Sequence, residues 1–142
     1  MKKSRLEIDY GFDFSLIGLR SGIRPHKLAW ELNDRLGIKL ARHDDHVLHW
    51  GRESAAFLHM IFETPLSCIR LLRNRAHHDE STGQSKWLLV PEHPEFDYFL
   101  LCSGKETDPS ESVLQATKNI PTIEWSAFLP LASLRSKENF IF

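Results

Sequence analysis

Imidazoles and carboxylates crowd into one short stretch of the chain, His43-Asp44-Asp45-His46-Val47-Leu48-His49. These are ligand types that zinc and related divalent metals select, and a site needs several of them within a few ångströms of one ion. The metal candidates are His43, Asp45, His46 and His49. Their spacing lacks the stringency of known ligand motifs. On a strand, His43, Asp45 and His49 share one parity and His46 the other, so the set converges only if the backbone turns sharply. A solvated hairpin corner explains the same residues, and no metal or other cofactor is expected.

A second group lies in Val90-Pro91-Glu92-His93-Pro94-Glu95-Phe96-Asp97-Tyr98. Clustered carboxylates raise one another's pKa, so Glu92, Glu95 and Asp97 have the chemistry of a general acid and base. No partner nucleophile is visible, and the favoured role for Glu92 or Asp97 is to accept the backbone donors of a proline-stiffened turn. Arg70, Arg73 and Arg75, with His77 and His78, are the candidates for phosphate contact, followed by Arg20, Arg24 and Lys27. His77-His78-Asp79 also has the chemistry of a proton shuttle, but it opens a polar, glycine-containing segment without rigid support.

The elements that must position these groups read as follows. Arg5–Tyr10 alternates as a half-buried strand, and the type of the next element, over 12–19, stays open between strand and short helix. Pro25 suits a first helical position, Ala29, Leu32 and Leu36 share a face, and Gly37 suits a left-handed cap, predicting a helix over 25–36. Residues 37–42 alternate into a strand and, across the polar corner 43–46, predict a hairpin with 47–50. The runs 55–62 and 67–72 read as adjacent antiparallel strands around Thr64-Pro65, and 74–85 as a surface loop. Pro91 and Pro94 exclude helix, so a strand over Trp87–Val90 should stop there. Tyr98–Cys102, apolar on both parities, reads as a central strand. Asp108-Pro109-Ser110-Glu111 is a helix start, Pro121 forbids continuation, and 123–131 is a last strand before a docked aromatic tail. The expected architecture is α+β: one domain over 1–142, with a mixed or mainly antiparallel sheet and two principal helices packed on it.

The pattern Val-Pro-Glu, three residues, Phe-Asp-Tyr at 90–98 resembles the signature of the bacterial IPExxxVDY proteins, with Val90 in place of Ile and Phe96 in place of Val. The resemblance extends through the opening Lys3-Ser4-Arg5-Leu6-Glu7-Ile8, the Lys27–Asn33 segment and the closing Leu134–Phe142. It brings with it no activity, cofactor or partner.

Composition narrows the classes further. With 142 residues, 42% hydrophobic and 26% charged, the chain has the makeup of a globular domain with a genuine core. Cys68 and Cys102 fall in apolar runs and read as buried thiols. No apolar run reaches the roughly 20 residues of a membrane span, and Glu7 and Asp9 occupy the place of a signal h-region. A cytoplasmic protein without membrane contact is expected. Basic residues dominate the first half and acidic ones the second, but a pI near 6.7 and the lack of a stacking-strand module disfavour nucleic acid. No glycine-rich phosphate loop, nucleophile elbow, paired Cys-x-x-Cys or dinucleotide fingerprint is present. The leading expectation is a non-catalytic interaction or adaptor module with a protein partner or as a homo-oligomer. The alternatives are a small enzyme using the motif carboxylates or a metal at 43–49, and weak RNA binding through Arg70–His78.

Overall fold

The computed structural model describes residues 13–77, 87–105 and 108–142. The strand expected at 5–10, the greater part of the 74–85 loop, and His78 and Asp79 lie outside the described residues. Among the described residues, eight strands and two α-helices follow in the order β1 (Ser15–Ser21), α1 (Pro25–Leu36), β2 (Ala41–Arg42), β3 (His46–Trp50), β4 (Glu53–Phe57), β5 (His59–Glu63), β6 (Ser67–Arg73), β7 (Tyr98–Gly104), α2 (Ser110–Lys118) and β8 (Ile123–Leu129). Six of the strands form one antiparallel sheet in the order β2-β5-β6-β7-β1-β8, and β3 and β4 form a separate hairpin. The expected α+β fold with two helices packed on the sheet is what the chain adopts.

β7 is central, and its run Tyr98 to Cys102 is buried on both parities as the pattern required. Alternation sends Tyr98, Leu100 and Cys102 to one face, where Ile17, Leu19, Ile69 and Leu71 join them under Leu28, Leu32, Val113 and Leu114 of the helices. Phe99 and Leu101 point the other way, with Leu16 and Leu72, and meet Phe57 of the hairpin, Val90 and Phe96 of the motif, and Leu134 and Phe140 of the tail. Full burial of each such side chain stabilises the fold by roughly 1.5–3 kcal/mol.

Both helix ends follow from sequence. Pro25 opens α1, and Gly37 closes it at φ 64 with its N–H on the Asn33 carbonyl. The Asp108 carboxylate accepts the Ser110 N–H at 2.9 Å, so α2 begins just after Pro109. Residues 12–19, left open between helix and strand, resolve as β1 from Ser15 onward, because its alternate residues are claimed by opposite cores.

Three expectations are corrected. The hairpin is β3–β4, turning at Gly51 with φ 63, whereas 41–42 pairs with β5, so the 43–46 corner links two sheets instead of closing a hairpin. The run 55–62 breaks at Leu58 into β4 and β5, which belong to different sheets. Residues 87–90 form no strand beyond a bridge from Leu88 to Arg75. Asn74 takes their hydrogen bonds instead: its carbonyl accepts the Leu89 N–H at 2.7 Å and its Oδ1 the Val90 N–H at 2.8 Å.

Candidate functional site

The motif turn is built into the fold atom by atom. Asp97 accepts the Ser21 N–H at 2.8 Å through its carboxylate, and its own N–H donates to the Leu19 carbonyl at 2.7 Å, so it staples the end of β1 to the start of β7. Glu92 accepts the Ser136 N–H at 3.0 Å and thereby holds the tail. Burial pushes the Glu92 carboxyl up, but its own amide and those of Arg135 and Ser136 outweigh it and hold the group below its usual range. Glu95 pairs with His93 at 3.0 Å, which lowers its pKa. Each carboxylate thus serves a different partner, and the three do not converge on one point. Phe96 sits over Gly18, where a Cβ would come within 2.7 Å of its ring, and contacts Phe99 and Trp125. Tyr98 donates its hydroxyl to the Ile23 carbonyl at 2.6 Å, and burial raises its pKa to about 12.

Asn74 is the hub of this arrangement. Fully enclosed, it donates Nδ2 to the carbonyls of His93 and Phe96, and its N–H reaches the Asp97 carbonyl at 2.9 Å. Sequence reasoning passed over it as one more loop residue; the signal was its place at the end of an apolar strand, where an amide must be satisfied.

The four metal candidates do not meet at one point. Asp45 is taken by Arg42 and by His77 Nε2 at 2.9 Å; burial pushes its pKa up, but these two partners outweigh that and hold it low. His49 is exposed on β3, while His46 Nε2 donates to the Asn139 carbonyl of the tail. Among the described residues no group of three or more His, Cys, Asp or Glu is arranged to hold a metal ion.

His43 and His46 meet a residue that sequence reasoning did not single out, His59 on β5. Its ring lies 4.8 Å from that of His43 and 6.4 Å from that of His46. Only 2% exposed, it contacts the Asp44 carbonyl and presents Nε2 to Arg70 Nη1 at 3.0 Å. Burial first, then the Arg70 charge, lowers its pKa to about 4, so the ring is neutral and accepts from the guanidinium. Phe142 covers the group, with its ring 4.5 Å from His46, 5.2 Å from His59 and 4.2 Å from the Arg70 guanidinium carbon.

Arg70 therefore lies inside the fold's second face, whereas Arg73, of opposite parity on β6, stands across from Tyr98 on the helix face. Arg75 sits beyond the strand at the bridge to Leu88. The three arginines do not form one surface. Beside Arg70 the second face opens into a groove of about 800 Å³, lined by Phe14, Leu101, Phe140 and Phe142, by Ser67, Cys68, Ser103 and Lys105, and by the carboxylates Asp13 and Glu63. Burial raises the Cys68 pKa, so this thiol is not an activated nucleophile. Cys102, raised to about 12, is enclosed under the helices.

Comparison with known proteins finds no family model that matches the chain and no curated protein that does. Among the described residues, no helix is long and apolar enough to cross a membrane.

Proposed function

We propose that the chain is an IPExxxVDY-type cytoplasmic protein acting as a non-catalytic protein-binding module, with β8 as its contact strand. The observation that supports this reading is that β8 has no strand on its outer side among the described residues. It is an edge strand seven residues long, and it carries Trp125 and Phe128 at 50% and 41% exposure on opposite faces of the sheet. An edge strand presents a row of N–H and C=O groups ready to pair with another chain, and proteins that avoid such pairing guard it with lysines or inward charges. β8 has no lysine, and its one charge, Glu124, is met by Arg20 at 3.6 Å. The opposite edge, β2, has only two residues to offer. Addition of an extended segment to β8 is the recognition mode this favours, with backbone bonds giving affinity and the two aromatics giving selectivity.

The engagement of Glu92, Glu95 and Asp97 by three separate partners weighs against an acid–base pair. The division of Arg70 and Arg73 between opposite faces weighs against RNA. The test is Phe128→Lys, which places a charge on the exposed edge without touching the core. Association of the tagged chain, with itself by sedimentation and with cytosolic proteins by capture, should weaken about tenfold or more while circular dichroism is unchanged. Equal association of the variant and the parent rules out β8 as the contact.

A further inference from the structure

Arg70 differs from the ion-paired arginines around it. Arg20, Arg35 and Arg42 each have a carboxylate partner. Among the described residues none forms an ion pair with Arg70, although it is half-buried and faces the groove. Its contacts are uncharged: the His59 ring nitrogen at 3.0 Å, the Phe142 ring at 4.2 Å and the neighbouring Cys68 thiol. A cation drawn partly out of water without a counter-charge is costly, and the cost falls when an anion arrives. The guanidinium is also already oriented. His59 fixes one edge and Phe142 covers the plane, so little side-chain freedom remains to be lost on binding.

We propose that the groove beside Arg70 binds an organic anion: one carboxylate or phosphate group held by the guanidinium fork, and an apolar or aromatic body seated among Phe14, Leu101, Phe140 and Phe142. Ser103, on the parity of Phe99 and Leu101, supplies a hydroxyl, and Lys105 adds a second cation. Asp13 and Glu63 also line the groove and repel further negative charge, which selects a ligand with a single anionic group over a polyanion such as nucleic acid. This site is separate from β8 and does not depend on the module reading.

The test titrates the full chain with phenylacetate, phenyl phosphate, the neutral isostere phenylacetamide and inorganic phosphate, by calorimetry and by the Arg70 side-chain Nε–H resonance. One aromatic anion should bind with a Kd of about 1 mM or below and shift that resonance, and phenylacetamide and inorganic phosphate should each be at least about tenfold weaker. Which of the two anions binds more tightly assigns the group as carboxylate or phosphate. Arg70→Met should lose at least about tenfold in affinity and Arg70→Lys should keep part of it, because a point charge replaces a fork. If Arg70→Met fails to fold, Ser103→Trp blocks the groove from β7 and should abolish binding. The proposal is overturned if phenylacetamide binds as well as the anions, if neither anion moves the Arg70 resonance, or if binding survives Arg70→Met or Ser103→Trp.

Discussion

The two faces of the sheet are closed by different means. Over the helix face, α1 and α2 lay a continuous apolar cover on Ile17, Leu19, Leu71, Leu100 and Cys102, and regular helix geometry satisfies the backbone. Over the second face the cover is irregular, made of the β3–β4 hairpin, the motif turn and the tail. Irregular backbone cannot bond to itself, so this face needs polar side chains as fasteners: Asn74, Asn139, Glu92, Asp97 and His46 all bind main-chain atoms. The difference teaches where function has room. A helix-covered face is closed by its own regularity, whereas a patched face leaves a groove and a cation, Arg70, that has no ion-pair partner among the described residues.

That contrast can be broken most directly at Asn74. Asn74→Ala strands several buried backbone groups and should cost about 3–4 kcal/mol in urea unfolding, whereas Asn33→Ala, which frees only the Leu40 amide and carbonyl at the end of α1, should cost about 1 kcal/mol. Equal losses would show that the patched face is not held by its polar hub.

Acid should attack the same face next. His59 has its pKa lowered to about 4 in the fold against 6.5 in the open chain, and that of His46 is lowered too. Between those limits the unfolded chain binds more protons, so stability is full above about pH 6.5 and falls as pH drops toward 4, by up to about 3 kcal/mol for His59. His59→Asn should flatten that slope in unfolding curves taken across the range; an unchanged slope would move the effect to another group.

The smallest effect concerns the cover itself. Phe142→Ala removes the ring from Arg70, His46 and His59 and should cost about 1 kcal/mol. It should also raise the His59 titration midpoint toward the free value, as read by NMR, because water then reaches the ring.

The helix face was the legible one. Its elements obey periodic rules: Ala29, Leu32 and Leu36 at helical spacing, Gly37 as the cap, and Tyr98 to Cys102 apolar on both parities. Glu92 and Asp97 were legible as acceptors of backbone donors, but not in their partners, which come from the tail and from β1 and not from the turn itself. The patched face obeys no period. Asn74 looks like any turn residue, and His59 looks like an interruption in an apolar run, because what gives each its role lies far off in sequence. The β3–β4 hairpin was placed one element too early for a related reason: the polar corner at 43–46 looked like a turn, while the chain reverses at Gly51 with a positive φ.

Strand order has one more consequence, for how the chain reaches this state. β1 lies between β7 and β8, so Leu16 is paired with Leu101 and Leu129, both across most of the chain. Neither ladder of β1 can form on a growing polypeptide until those late strands have left the ribosome. Each helix can form on its own, but the helical layer also waits, because α2 follows β7 in the chain, and long-range antiparallel pairing of this kind is slow. During synthesis, β1 with its row of Leu16, Ile17 and Leu19 therefore stays unpaired on both sides until β7 and then β8 arrive.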